Sequence, residues 1–182
     1  MKKYFVIGNP IEHSLSPKLH NFWIKKNHIH AAYEKKLLQE KELKSICNEV
    51  REGKIDGLNV TVPFKEKIIK YIDVLSEDAF NSKAVNTVYK QSKNGENKLI
   101  GDNTDIYGFK KSLPILFRAG RGGRCGAIIL GAGGASRAII IALSHLGIDT
   151  FAIINRTKDK AIKLMQEIDP ENYDPDLIYN WC

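Results

Sequence analysis

The fold is decided by one stretch in the C-terminal half of the chain, residues 127–136, which read AIILGAGGAS. Its apolar start predicts a short buried strand, its glycines predict a tight turn, and Ala135–Leu146 predicts a helix that is apolar on most of its surface. Gly131 permits the turn, and Gly133 lets the backbone approach a pyrophosphate at the N-terminus of the helix. Because a second apolar strand, Phe151–Ile154, follows, the stretch predicts the opening of a dinucleotide-binding βαβ unit.

The end of the strand Phe151–Ile154 distinguishes between two nicotinamide cofactors. An unmodified ribose is normally read by an acidic residue about 20 residues after the glycines, whereas a 2′-phosphate calls for arginine. This chain has Arg156, whose guanidinium binds phosphate with two prongs, followed by a hydroxyl and a second positive charge. The sequence therefore predicts NADP; the alternative is that Arg156 is an ordinary surface residue. The predicted cofactor-binding residues are Gly131, Ala132, Gly133, Gly134, Ala135, Asn155, Arg156, Thr157 and Lys160.

A second stretch, NVTVPFK at residues 59–65, puts a polar edge on what otherwise reads as a buried strand. Strict alternation sends the odd-numbered residues to one side and the apolar, even-numbered residues to the other. Pro63 suits the first turn of a helix, so we expect the strand to end there and Lys65 to begin a helix beside the polar row. The alternative is a plain strand end that carries a solvated lysine.

Strands and helices alternate along the N-terminal part, which predicts an α/β substrate-binding domain ahead of the dinucleotide-binding unit. We expect strands at 4–7, 32–38 and 57–62, helices at 16–26 with Ser16 as cap, 40–52, 66–72 and 76–82, a hairpin of 85–89 with 98–100, and a helix from Thr104 or Asp105 to about 117. The glycine- and arginine-rich residues 119–125 predict a hinge. The expected domains are thus 1–118 and 126–182.

Composition restricts the class of protein. The chain has 182 residues, of which 43% are hydrophobic and 27% charged, as in soluble globular proteins. Its net charge of +7 is carried by lysines spread over every segment, so a nucleic-acid partner is not indicated. No apolar stretch approaches the roughly 20 residues of a membrane helix, so we expect a cytoplasmic protein, as a monomer or homodimer. The three cysteines are widely spaced, so we expect neither a disulfide nor a metal site.

Five blocks, in order, resemble the shikimate dehydrogenase family, the NADP-dependent enzymes of chorismate and aromatic amino-acid biosynthesis. The blocks are GNP at 8–10 with SLSP at 14–17, NVTVPFK at 59–65, AVNT at 84–87, NTD at 103–105 followed by Gly108, and the glycine turn with NRT at 155–157. The resemblance implies a substrate domain followed by a doubly wound, Rossmann-type NADP-binding domain. It also implies reversible reduction of 3-dehydroshikimate to shikimate.

The resemblance further assigns roles to individual residues. It implies that Ser14 and Ser16 hold the substrate carboxylate, and that a polar set bonds the ring hydroxyls or the carboxylate; this set is Asn59, Thr61 and Asn86. Lys65 and Asp105 match the catalytic pair, both also touching substrate, with Lys65 either a proton donor or a stabiliser of the oxyanion. Without the resemblance, an alternative is that Ser16 is merely a helix cap, and the buried amides are equally well explained as turn or strand-end linkers.

The chain is shorter than members of this family. Only two strands of the expected NADP-domain sheet are recognisable, and the last substrate glutamine and the nicotinamide contacts have no counterpart. We therefore expect an incomplete Rossmann domain in a C-terminally truncated shikimate dehydrogenase. Two alternatives stay open: a short protein that binds shikimate or nucleotide without turnover, and a quinate/shikimate dehydrogenase with relaxed cofactor choice.

Overall fold

The computed structural model describes residues 1–93, 95–113 and 126–180, so the predicted hinge at 119–125 lies outside the described residues. The described residues group into two compact units, Met1–Phe80 with Ala84–Asn103, and Asn81–Lys83 with the described part of Thr104–Cys182. Residues 104–113 thus group with the second unit, although the predicted first domain extends to 118; the domain boundary itself stays a prediction. Within this described part, no helix is long and apolar enough to cross a membrane. Nor does it hold a cluster of His, Cys, Asp or Glu side chains suited to a metal ion.

The N-terminal unit is built on a mixed six-stranded sheet. Its strands are β1 (Lys2–Gly8), β2 (Ala31–Leu37), β3 (Gly57–Val60), β4 (Val74–Leu75), β5 (Thr87–Lys93) and β6 (Glu96–Asp102), in the order β2-β1-β3-β5-β6-β4. β1 runs parallel to β2 and β3, and β4 runs parallel to β6. β5 is antiparallel to both of its neighbours, so the predicted hairpin is confirmed, with longer strands than expected.

Helices α1 (Ser16–Lys26), α2 (Leu43–Arg51) and α3 (Glu77–Ser82) accompany this sheet, with 3₁₀ turns at Glu40–Glu42 and Lys67–Tyr71. The predicted helix at 40–52 is therefore split into a 3₁₀ turn and α2. The apolar residues of α2 recur at helical spacing and are buried in the main core together with one face of the sheet. Burial raises the pKa of the Cys47 thiol on this helix to about 11, so the thiol stays protonated at neutral pH.

The stretch at 59–65 does not continue as a strand to Val62. β3 ends at Val60, and the backbone then turns, with a cis peptide between Val62 and Pro63. Val62 is 64% exposed whereas Phe64 is 2% exposed, so the expected shared face of the even-numbered residues is wrong. The next helical turn begins at Lys67, which leaves Lys65 in a turn and not on a helix. Alternation holds only while the backbone stays extended.

The C-terminal unit has the strand–turn–helix order of a Rossmann-type fold. It comprises α4 (Thr104–Ser112), β7 (Gly126–Leu130), α5 (Gly134–Ser144), β8 (Thr150–Asn155), α6 (Lys158–Ile168) and β9 (Ile178–Asn180). The three strands are parallel, in the order β7-β8-β9. The expectation of two strands is wrong, because Ile178 carries a third strand onto β8. That strand has one buried apolar side chain, at Ile178, which is too little to give a periodic signal.

One face of this three-stranded sheet is packed, and on the other face the described residues leave two large apolar side chains exposed. Alternate strand residues, such as Ile129, Phe151 and Ile153, lie in a core closed by α5 and α6. The residues between them point the other way, and Ile128 and Leu130 are 72% and 63% exposed. In the described residues, the helices of this unit thus cover one face of the sheet, whereas a doubly wound sheet has helices on both faces.

Candidate active site

A hollow of about 250 Å³ lies in the N-terminal unit, where the parallel strands β1 and β3 end. Carboxyl ends of parallel strands are the usual place for a ligand in α/β proteins. The lining residues are Val6, Pro10, Ile11, His13, Ser14, Ser16 and Thr61. Three of the predicted substrate-binding residues, the two serines and Thr61, thus line the same hollow.

Ser14 and Ser16 are half-buried on the segment that leads into α1. The amide of Ser16 donates to Ser14 Oγ at 3.4 Å, and α1 begins at Ser16 with Leu15 as its cap and no side-chain cap bond. The interpretation of Ser16 as a helix cap is therefore wrong, and the Ser16 hydroxyl is not committed to the helix end. Two hydroxyls beside the N-terminus of α1 suit an anionic oxygen, because the helix dipole favours negative charge there.

The position of Thr61 depends on a close backbone approach at Gly8. Thr61 N donates to Ile7 O at 2.9 Å, and Asn9 N donates to Val62 O at 3.0 Å. A Cβ on Gly8 would stand 2.6 Å from Thr61 Cγ2, closer than any real carbon contact. Glycine is therefore required at residue 8 by the threonine that lines the hollow.

Asn59 and Asn86 lie in one hydrogen-bond network, although neither lines the hollow. Tyr33 Oη donates to Asn59 Oδ1 at 2.6 Å, and Asn59 Nδ2 donates to Thr87 Oγ1 at 3.1 Å. Thr87 Oγ1 donates in turn to Asn86 Oδ1 at 2.9 Å. The sequence interpretation missed Tyr33 and Thr87; the only signal was that Tyr33 lies on a predicted strand, and its partner is 26 residues away.

Lys65 is half-buried in the turn after β3. Its carbonyl accepts a hydrogen bond from Val85 N at 2.8 Å, and Asn86 N donates to Asp102 O at 2.9 Å. The turn that carries Lys65 is thus tied to the AVNT block, which is tied to the end of β6. Two blocks that are separate in sequence, 59–65 and 84–87, thus meet through main-chain bonds at the end of β6.

Asp105 occupies the first turn of α4 and is half-buried. It belongs to the C-terminal unit and Lys65 to the N-terminal unit, so their action as a pair stays a prediction. Asp102, three residues earlier, has a different environment, because its Oδ1 accepts from Asn103 N at 2.7 Å and from the Ser76 hydroxyl. Asp102 thus joins β6 to the start of α3.

The glycine turn of the C-terminal unit has the geometry predicted for a dinucleotide site. Gly131 adopts a φ of +106°, and its amide donates to Ile154 O at 2.8 Å. Ser136 Oγ donates to Gly131 O at 2.9 Å and closes the turn. No described atom lies within 4 Å of a Cβ built on Gly133, the residue that caps α5. The helix N-terminus therefore fits a pyrophosphate, since a ligand can approach the Cα of Gly133 closely there.

The NRT block follows β8 and opens α6. Asn155 Nδ2 donates to Thr157 O at 2.7 Å, and Thr157 is the cap residue of α6. Arg156, Thr157 and Lys160 are exposed. An exposed guanidinium, hydroxyl and ammonium beside a helix start suit a phosphate monoester.

The fold and these two candidate sites define an α/β protein with a hollow at the end of a mixed sheet and a Rossmann-type glycine turn. Sequence comparison gives the family. The model of the shikimate dehydrogenase substrate binding domain matches residues 6–88, and the model of shikimate / quinate 5-dehydrogenase matches residues 119–180. A protein of Pelagibacter ubique named shikimate dehydrogenase (NADP(+)) is 50% identical over 99% of this chain and 69% of its own length. The chain belongs to the shikimate dehydrogenase family.

Solved structures agree with this membership. A shikimate dehydrogenase crystallised in complex with NADP⁺ has a TM-score of 0.77 and 34% identity over 99% of this chain. The enzyme of Thermus thermophilus, in complex with NADP(H) and shikimate, has a TM-score of 0.73 and 32% identity over 100% of this chain. The chain spans 61% and 63% of those two proteins, respectively.

Proposed function

We propose that this chain acts in the NADPH-dependent, reversible reduction of 3-dehydroshikimate to shikimate, within chorismate and aromatic amino-acid biosynthesis. The observation that carries the proposal is the hollow at the ends of β1 and β3, where two serine hydroxyls and Thr61 lie together. Its hydroxyl lining suits a small hydroxylated carboxylate. The glycine turn and Arg156 in the same chain support NADP as the cofactor.

The C-terminal unit would hold NADP with residues of its first two loops. Residues 131–135 would surround the pyrophosphate, and Arg156, Thr157 and Lys160 would bind the 2′-phosphate, with Asn155 holding their loop. When bound, NADPH supplies the hydride. We assign this role to a domain at 126–182, and the substrate to a domain at 1–118, joined by the hinge at 119–125. A cytoplasmic monomer or homodimer stays the expectation from sequence.

The residues of the N-terminal part would bind and protonate the substrate. Ser14 and Ser16 would donate to its carboxylate, and Asn59, Thr61 and Asn86 would bond the ring hydroxyls or the carboxylate. The Lys65 ammonium would donate a proton to the alkoxide that forms at C3, and Asp105 would position that ammonium. A fixed cation at this point also stabilises the oxyanion before the proton moves.

Turnover of 3-dehydroshikimate, followed by NADPH absorbance, tests the reaction. We expect Lys65→Ala to lower kcat by at least about 100-fold, because general acid catalysis contributes that much, and to change the Kd of shikimate by less than about threefold. Lys67→Ala is the matched control, since this exposed lysine pairs with Glu40, and it should leave both values unchanged. Equal losses of turnover and binding in Lys65→Ala would contradict the catalytic role.

The same assay separates the alternatives. Turnover by the chain would exclude a protein that only binds, whereas shikimate binding without turnover is most simply explained by truncation. Comparable rates with quinate and NADH would favour a quinate/shikimate dehydrogenase. Arg156→Ala should weaken NADPH binding by at least about tenfold and leave NADH binding unchanged, because only NADPH carries the 2′-phosphate. Equal weakening of both would contradict the assignment of Arg156.

A further inference from the structure

We propose that His13 is a further ligand-binding residue of the hollow, and that it gives the hollow its preference for a carboxylate over a neutral group. His13 lines the hollow together with Ser14, Ser16 and Thr61, and all four residues belong to the N-terminal unit. This role deepens the proposed function and rests on it in one respect, namely that the natural ligand is shikimate.

His13 differs in chemistry from the other side chains around the hollow. Among the described residues that line it, every other side chain is either apolar or a neutral hydroxyl. A hydroxyl donates to charged and to neutral oxygens alike. An imidazole has an N–H donor in every protonation state and, when it is protonated, a full positive charge as well. The choice of a carboxylate over a neutral oxygen therefore depends most on His13.

The proposed reaction assigns no cation to the substrate carboxylate. Lys65 is assigned to the oxygen that forms at C3, whereas the carboxylate of shikimate is attached to a different ring carbon. Removing a carboxylate from water is costly unless hydrogen bonds or an opposite charge compensate. His13 directly precedes Ser14, one of the two serines assigned to the carboxylate, so it supplies a donor and a charge at the same end of the ligand.

The main chain on both sides of His13 is held in place. Ser14 N donates to Ile11 O at 3.0 Å, which closes a turn that has Glu12 and His13 between its ends. Lys35 Nζ, on β2, donates to Glu12 O at 2.5 Å. The freedom that remains to His13 is rotation of its side chain, and among the described residues none forms a hydrogen bond with its imidazole.

The neighbouring carboxylate, that of Glu12, does not line the hollow. Its Oε2 accepts from Ile11 N at 3.1 Å, so the side chain is folded back onto its own turn. Hydrogen bonds from the Glu12 and Ile11 amides lower the pKa of this carboxyl, which is therefore ionised at neutral pH. Along the chain, His13 stands between this negative charge and the serines, where a substrate carboxylate would otherwise meet it without a compensating group.

Calorimetric titration of the full chain with shikimate and with its uncharged methyl ester tests this role. His13→Ala removes the donor and the charge at an exposed position, and we expect it to raise the Kd of shikimate about 5- to 15-fold. The Kd of the ester should rise less than about twofold, and this binding also shows that the hollow is intact.

The deciding quantity is the ratio of the two dissociation constants, ester to shikimate, which a merely structural role would leave unchanged. His13→Ala should lower this ratio at least about threefold, and a smaller change would overturn the role of His13. His30→Ala is the matched control, since His30 is also exposed but does not line the hollow, and it should leave the ratio as in wild type.

NMR spectra of the His13 ring, assigned by the loss of its signals in His13→Ala, separate this role from the proposed function. Saturating cyclohex-1-ene-1-carboxylate, which has the ring and carboxylate of shikimate without its hydroxyls, should shift these signals, as should shikimate. A shift with the simple carboxylate in a chain that does not bind shikimate would count against the proposed function and support the role of His13. Signals that neither carboxylate shifts would overturn that role.

Discussion

Replacement of Gly8 by alanine should destabilise the N-terminal unit and lower its affinity for shikimate. The new Cβ would stand 2.6 Å from Thr61 Cγ2 and 3.0 Å from both Ile11 Cδ1 and Val62 O. Carbon atoms pack at about 3.5–4.0 Å, so the overlap with Thr61 is roughly 1 Å. Thr61 has little room to retreat, because the bonds Thr61 N to Ile7 O and Asn9 N to Val62 O hold this segment onto β1.

Two opposing free energies decide the size of the effect. Overpacking of this kind costs about 1–3 kcal/mol, and contact with a main-chain oxygen puts Gly8→Ala near the upper end. Loss of glycine entropy in the unfolded chain returns about 0.4–1 kcal/mol. We therefore expect a net loss of about 2 kcal/mol in the free energy of unfolding, and a weaker affinity for shikimate because Thr61 is displaced.

Urea unfolding followed by far-UV circular dichroism, together with calorimetric titration of shikimate, measures both effects. Gly57→Ala is the matched control in the same sheet, since its nearest contacts would be 3.3 Å, from Tyr4 and from Val88 O. We expect it to change stability by less than about 1 kcal/mol. The reasoning is refuted if Gly8→Ala is as stable as wild type, or if Gly57→Ala is the more damaging change.

Two further predictions concern pH. Partial burial alone would raise the pKa of Glu167, but the hydrogen bond from Arg137 and its positive charge have the larger effect, so this pKa lies below the ordinary 4.5. The stability that the ionised Glu167 contributes is therefore present above pH 4.5 and is lost as the pH falls through the lowered pKa. Glu167→Gln should lower the free energy of unfolding by about 1–3 kcal/mol at neutral pH and should make it fall less steeply as the pH is lowered. Urea unfolding over an acid pH series measures both, and an unchanged pH dependence would contradict the role of Glu167. Burial raises the pKa of Tyr33 from 10.0 to about 12, so the free energy of unfolding falls by up to about 3 kcal/mol as the pH rises between these values. Tyr33→Phe should remove that part of the alkaline loss in the same unfolding assay, and an identical alkaline slope in both proteins would count against it.

Much of the N-terminal fold could be predicted because its elements carry local signals. The helical spacing of apolar residues in α2 and the turn residues between β5 and β6 correctly placed both elements. The stretch at 59–65 failed because period-two alternation assumes an extended backbone, and the chain turns directly after Val60. Ser16 was misread because the cap depends on main-chain angles at Leu15, which composition does not reveal.

The candidate site was predictable at positions where the backbone geometry gives one residue type a specific physical advantage. The positive φ of Gly131 and the open space at Gly133 agree with the roles that the glycine pattern predicted. Long-range side-chain partners were not predictable, because the bond from Tyr33 to Asn59 depends on the register of β2, β1 and β3. The third strand, β9, was missed for a similar reason, since tertiary pairing with β8 holds a segment with little strand character of its own.

The strand order of the N-terminal sheet determines the order in which its strands can pair during synthesis. All six strands come from residues 2–102, and the last of them, β6, is the only neighbour of β4 in this sheet and pairs with β5 as well. β4 therefore has no strand to pair with in this sheet until β6 leaves the ribosome, whereas β1, β2 and β3 can associate earlier. All the strands of this sheet are thus synthesised before the residues of the glycine turn.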